Sequence, residues 1–178
     1  MIDLRWRHEH HPLSAEDIQA ANNHLEAQGL RSFSLKDAGR GIETRRALFE
    51  LVRVGVLDAP GDDEFVTFET FNTQLFEPYY WQWADLQILA AHRDTWVGLS
   101  NVQLHKPDEA QLGITVVHRK YRRRGIARAL KVLALSHVQA RGIPSAITRN
   151  HPDNEPIQRL NRSLGFEPKG TDESASLS

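Results

Sequence analysis

Residues Gln111 to Ala140 read QLGITVVHRKYRRRGIARALKVLALSHVQA, and the period of their apolar positions changes once, at a glycine. Before the change the pattern alternates. Leu112, Ile114 and Val116 fall on one side and Gly113, Thr115 and Val117 on the other, which is the period of a β-strand. After Gly125 the apolar residues recur at helical spacing: Ile126, Ala129, Leu130, Leu133, His137 and Ala140, widened by Val132, Leu135 and Val138. Between the two lies a short basic connection, Arg119 to Arg124. Strand, tight loop and helix together make a phosphate-binding layout. The first turn of a helix carries unpaired N–H groups and partial positive charge. At Gly125 no Cβ keeps an anion away from the main chain.

Composition narrows the setting. A chain of 178 residues is enough for one domain with a sizeable core. The formal net charge is −1, so no global field draws the chain to nucleic acid or to an acidic membrane. The basic run is local, and Tyr121 is the lone aromatic within it, which argues against a nucleic-acid module. Cysteine is absent, which removes disulfides and a thiolate nucleophile. No apolar run approaches the ~20 residues a membrane helix needs. The start, MIDLRWRHEHHPL, has no apolar core of the signal-peptide kind. A cytoplasmic location is expected, with no membrane partner.

Taken in order, Leu4–His8 reads as a short strand. His8-Glu9-His10-His11 has no companion ligand cluster at a recognisable spacing, so a polar strand end is expected rather than a metal site. Ser14 and Asp17 form an approximate capping box for a helix over 15–28, stopped by Gly29. A strand follows over 30–35, a helix over 42–55, a turn over 58–61 and a short helix over 63–76. Asp62, Asp63 and Glu64 suit that last helix start by charge. The aromatic run Pro78 to Trp83 suits a core lid or a pocket wall. Strands over 84–92, 96–104 and 111–117 form a meander. After the 125–141 helix a strand over 144–148 must run parallel to its predecessor. A helix over 154–163 and a strand from Gly165 close the chain, and 169–178 reads as a disordered tail.

Two motifs carry a family likeness. Arg122-x-x-Gly125-x-Ala127 resembles the acyl-CoA pyrophosphate signature of the GNAT N-acetyltransferase superfamily. Downstream, Asn154-x-x-Ile157-x-x-Leu160-Asn161-x-x-Leu164-Gly165-Phe166 resembles that family's closing helix. The likeness is nearest to GNAT domains found in tandem proteins. It implies an α/β (α+β) GNAT fold: a mixed, mostly antiparallel sheet splayed between its fourth and fifth strands, with helices on both faces. It divides the chain into a strand and helix extension (1–29), a GNAT domain (30–168) and the tail (169–178).

The likeness also implies a function, acetyl-CoA-dependent N-acyl transfer to an amine, with no metal and with a homodimer allowed. The backbone N–H groups of Arg123, Arg124, Gly125, Ile126, Ala127 and Arg128 would hold the pyrophosphate, and Arg119, Lys120, Arg122 or Arg124 would add charge. The main chain of Val116 and Val117 would meet the pantetheine arm, with the Val117 N–H facing the oxyanion, and Asn154 would contact CoA. The catalytic positions are less regular. The family's glutamate base falls on Gln111, with Glu109 two residues earlier on the same face. His92, His105 and His118 are further bases by ordinary pKa. The family's tyrosine acid falls on Asn161, which cannot give up a proton. These departures also fit a CoA-binding domain of weak or no catalysis, with a regulatory or structural role.

Overall fold

The computed structural model describes residues 1–59 and 64–169. Part of the turn over 58–61, the helix-start role of Asp62 and Asp63, and the tail beyond Lys169 fall outside the described residues. In chain order the elements are β1 (Ile2–Arg7), α1 (Ala15–Glu26), β2 (Arg31–Ser34), α2 (Leu35–Ala38), α3 (Ile42–Leu57), α4 (Phe68–Thr70), β3 (Ile88–His92), β4 (Thr95–Lys106), β5 (Glu109–Val117), α5 (Ile126–Ala140), β6 (Ser145–Asn150), α6 (Glu155–Ser163) and β7 (Glu167–Pro168).

One sheet takes these strands in the order β2-β3-β4-β5-β6-β1-β7. β5 and β6 are parallel, as strands joined through a helix must be, and the other neighbours are antiparallel. The N-terminal strand lies between β6 and β7, from Ile2 opposite Asn150 to Arg7 opposite Ser145. Leu4 and Trp6 of that strand are fully buried. One face of the sheet is covered by α1 and α5. The other is covered by α3 and the aromatic segment after it.

The opening in the sheet has a local cause. β5 pairs with β6 only from Glu109 to Leu112, which stands opposite Thr148. On its other side the ladder with β4 slips at the next step: Leu112 faces Val102 and Thr115 faces Ser100, so Gly113 and Ile114 together oppose Asn101. Two residues against one is a β-bulge, which bends and twists the strand that carries it. Gly113 suits this spot because a Cβ there would lie 2.2 Å from Asn101 Oδ1. Beyond the bulge β5 follows β4 and leaves β6. The seam therefore lies between the fourth and fifth strands counted from Leu30, β5 and β6 of the whole chain.

Local chemistry explains the helix starts. Ser14 and Asp17 do form a capping box, with Asp17 N–H donating to Ser14 Oγ at 3.1 Å and Ser14 N–H to Asp17 Oδ2 at 2.9 Å. A second box on Ser34 and Asp37 corrects the strand expected over 30–35. It starts a helical turn at Leu35 and ends β2 at Ser34. The helix expected over 63–76 is also displaced. Helical backbone begins at Phe68 and continues as π turns over Phe71–Tyr80 and a 3₁₀ turn over Trp81–Trp83. Pro78 lies inside this run. It has no N–H, and its ring would press on the preceding turn of an α-helix, a conflict that wider turns relieve. Phe65 belongs to no helix, yet its ring packs on Phe49 with centroids 5.3 Å apart, beside Phe68 and Phe71. The strand expected over 84–92 begins only at Ile88, because Ala84 and Gln87 carbonyls accept from Lys36 and Leu35 N–H groups instead.

On α5 the expected Ile126, Ala129, Leu130, Val132, Leu133, Leu135 and Val138 are buried, and the covered surface is wider than that stripe. His137 and Ala140 are exposed, whereas Lys131 and Ala134 are buried. The sheet covers one side of this helix and α1 another, so its covered surface is broader than a single stripe.

Candidate functional site

The loop after β5 is built by two left-handed residues. Arg119–Tyr121 form a 3₁₀ turn, Arg122 is extended, and Arg123 and Gly125 take φ of 62° and 74°. α5 then starts with no side-chain cap at Gly125. Among the described residues, the backbone N–H groups of Arg123 to Arg128 donate to no protein acceptor. They converge where the helix dipole is positive, which makes an anion cradle.

The arginine side chains stand around this cradle. Arg122 Nε donates to the Val117 carbonyl at 2.8 Å. Arg119 Nε donates to both oxygens of Asp58 at 3.0 Å, and the Arg122 guanidinium bonds the same carboxylate. Hydrogen bonds from Arg119 first, then Arg122, hold the Asp58 carboxyl far below the usual carboxylate range. The Arg124 guanidinium lies 5.5 Å from the centre of the Tyr121 ring. Arg128 Nη1 donates to Ser163 Oγ at 2.8 Å, tying α5 to α6.

From the cradle the seam runs between β5 and β6. The Val117 carbonyl is turned out of the β4 ladder toward Arg122, whereas the next N–H, of His118, bonds Val97 at 2.8 Å. A residue's N–H and C=O share one side of a strand, so the Val117 N–H also faces away from β4. Polar side chains flank the seam without full pairing. Thr115 Oγ1 and Ser100 Oγ are buried and unpartnered on β5 and β4. On the far side, Asn161 Nδ2 donates to Asn150 Oδ1 at 3.1 Å, which leaves Asn161 Oδ1 and Asn150 Nδ2 buried without partners. Orphaned polar atoms of this kind are costly unless water or a polar ligand meets them. α3 covers the opposite face of the seam, and Gly55 packs so closely that a Cβ would lie 2.2 Å from Val116 Cγ2.

The GNAT acetyltransferase family model matches residues 56–166, more than half of the chain. The chain belongs to this family. As a GNAT domain it resembles solved structures at low identity, which shows the fold. A GCN5-related N-acetyltransferase from Sphaerobacter thermophilus is 22% identical with a TM-score of 0.70, covering 94% of this chain and 48% of that one. A tandem GNAT protein from the clavulanic acid biosynthesis pathway is 21% identical with a TM-score of 0.60, covering 94% and 49%. The ribosomal-protein-S18-alanine N-acetyltransferase from Escherichia coli is 19% identical with a TM-score of 0.57, covering 78% and 77%. The chain thus spans about half the length of the first two. No curated protein matches the sequence.

In this GNAT domain the candidate catalytic residues stand apart from one another. Glu109 opens β5, on the order of 25 Å along the strand from Val117. Its carboxylate is buried and paired with Arg5 at 3.0 Å. Gln111 is half-buried, between Gln103 of β4 and Ile147 of β6, just before the seam opens. Asn161 is fully buried against Asn150. Asn154 caps α6, its Oδ1 accepting from Ile157 N–H at 3.4 Å. His92 and His118 both pack on the Tyr121 ring beside the loop. Among the described residues, no group of three His, Cys, Asp or Glu side chains could hold a metal ion, and no helix is long and apolar enough to cross a membrane.

Three side chains at the loop carry no sequence signal for it. Asp58 falls in an expected turn, and His24 of α1 and Gln28 just after it come to lie against the Arg124–Gly125 peptide. They touch the loop across 61 to 100 residues of chain, and none belongs to a local motif.

Proposed function

We propose that this GNAT domain binds acetyl-CoA and transfers its acetyl group to the amine of a small-molecule acceptor. The observation that carries the reading is the cradle of free N–H groups from Arg123 to Arg128, set at the mouth of the seam. The pyrophosphate would lie on this cradle, with positive charge from Arg122, Arg123, Arg124 and Arg128 around it. The main chain of Val117 would border the pantetheine arm, with its N–H facing the oxyanion that forms when an amine attacks the thioester, whereas the N–H and C=O of Val116 are turned to Leu99 of β4. Asn150, Asn154 and Asn161 would supply polar contacts on the far wall. The acceptor would enter beneath α3, past Gly113 and Asn101. The expected setting is the cytoplasm.

A second reading is favoured by one specific observation. Gln111 and Asn161 have no proton to exchange near neutral pH, and Glu109 is engaged by Arg5 away from the seam. A domain that binds acyl-CoA with little turnover fits those residues. One pair of measurements separates the readings. Acetyl-CoA at a hundred times its Kd should stabilise the fold by about 2.7 kcal/mol, roughly 5–10 °C for a domain of this size. Release of free thiol is then followed across a panel of amines. A shift with thiol release supports transfer, a shift without release supports the binding domain, and no shift sinks both.

Asp58 adds a prediction of its own. It competes for the arginines a phosphate would use, and it stays ionised at any pH near neutrality because its carboxyl is so strongly acidified. Asp58→Asn is expected to tighten acetyl-CoA binding roughly two- to fivefold, the scale of a screened surface charge pair. The gain should fade in high salt. Titration calorimetry at low and high salt checks both points.

A further inference from the structure

The cradle has a support outside the segment that matches the family. His24 lies on α1, whereas the match begins at residue 56. Its Nε2 is 2.7 Å from the Arg124 carbonyl oxygen. Gln28, in the turn just past the end of α1, donates from Nε2 to the same oxygen at 3.1 Å and to the His24 carbonyl at 3.1 Å. The Arg124 oxygen can only accept, so its bond to His24 puts the proton on Nε2; Gln28 Nε2, 3.0 Å from that nitrogen, then sends its two hydrogens to the His24 and Arg124 carbonyls. Two donors, one on α1 and one in the turn that ends it, thus converge on the peptide immediately before Gly125.

We infer that His24 and Gln28 are positioning residues for the acyl-donor loop. The inference rests on the acetyl-CoA reading above. In a trans peptide the C=O and N–H point in opposite directions. Holding the Arg124 carbonyl toward α1 therefore aims the Gly125 N–H away from α1, out into the cradle. Two hydrogen bonds on that carbonyl also polarise the amide, which makes its N–H a better donor. The arrangement fixes a segment that is otherwise unfavourable, because Arg123, an L-residue, holds positive φ two positions before Gly125. It also gives Gly125 a second role. A Cβ at this position would stand 2.7 Å from His24 Nε2, so the glycine is what lets α1 come close enough to grip the loop.

The grip is testable because His24 is exposed, and its loss removes no core packing. Acetyl-CoA affinity is measured by calorimetry on the full chain for the wild type, His24→Ala, Gln28→Ala, the double alanine variant and His24→Gln. A glutamine amide places a donor near the position of the imidazole Nε2. His24→Ala is expected to weaken binding about tenfold, one charge-free hydrogen bond to an oriented carbonyl, and the double variant to weaken it further. His24→Gln should return to within about threefold of wild type. Where turnover is present, KM for acetyl-CoA should rise while KM for the amine and kcat hold. Equal affinity in wild type and the double alanine variant overturns the positioning role and leaves the acetyl-CoA reading intact. Equal weakening by alanine and glutamine also overturns it, since rescue by a donor is its signature. No binding by wild type itself overturns the acetyl-CoA reading and, with it, this inference.

Discussion

Replacing Gly125 by glutamate is expected to abolish the stabilisation of the fold by acetyl-CoA. Three effects act in one direction. The left-handed backbone at φ 74° costs an L-residue roughly 1–2 kcal/mol. The new Cβ meets His24 Nε2 at 2.7 Å and drives it off the Arg124 carbonyl. The carboxylate then stands where the phosphates would lie, and like charges in one cradle repel. Gly125→Ala isolates the first two effects. It should weaken binding by about one to two orders of magnitude, the scale of 1–2 kcal/mol of strain plus a lost hydrogen bond. Adding His24→Ala to Gly125→Ala removes the collision and leaves the backbone strain. If the collision dominates, the double variant binds no worse than His24→Ala alone. Thermal unfolding with and without acetyl-CoA reads every member of the series. A glutamate variant that keeps the wild-type shift would remove the loop from the acyl-donor site.

Much of this site was legible because its chemistry is local. The change of period at Gly125, the run of arginines before it and the spacing of Asn154 to Phe166 all lie within short windows. The structure places them as strand, loop and helices in that order. The Ser14 capping box was legible for the same reason. What could not be read depends on distant contacts. A single closing strand where the family usually has two suggests that Leu4–His8 fills the sheet, as β1 does, but nothing within Ile2–Arg7 names β6 and β7 as its neighbours, since strand order is settled by which edges remain open. Phe65, Phe68 and Phe71 recur at helical steps, yet only two of them enter a helix, because all three converge on Phe49. Periodicity reports which residues are buried together, and an aromatic knot can satisfy it without a regular helix. The seam was implied by the family likeness. Its cause, one extra residue at Gly113 and Ile114 opposite Asn101, emerges only from the pairing register.

Lys131 is the clearest case of burial that a polar letter conceals, and it carries the largest expected change in stability. It lies in mid-helix on α5 at 1% exposure, and no carboxylate pairs with it among the described residues. Burial alone pushes its pKa down to about 7. The unfolded chain keeps its ordinary value of 10.5. Between those two values the unfolded state binds a proton that the folded state has shed. Stability therefore rises with pH across this window, by about 1.4 kcal/mol per pH unit where the difference is one whole proton. Below pH 7 both states are protonated, and the folded state holds a buried ammonium. The upper limit of the window is set by another group. Burial pushes the Tyr80 hydroxyl up to about 12 from an ordinary 10.0. Unfolded tyrosine ionises first, so above pH 10 this group lowers stability as pH rises. The measurement belongs between pH 7 and 9.5. Lys131→Met keeps most of the side-chain volume and removes the amine. It is expected to stabilise the fold at pH 7 by up to about 5 kcal/mol, the 3.5 pH units between the two Lys131 values converted at 1.36 kcal/mol each. Because the wild type bears this cost in full below pH 7 and sheds it as pH rises toward 10.5, the gain should shrink steadily toward pH 9.5. Urea unfolding of both proteins at three pH values tests this directly. Parallel lines would mean that Lys131 keeps its proton in the folded state, with its ammonium reaching water past the end of the buried stem.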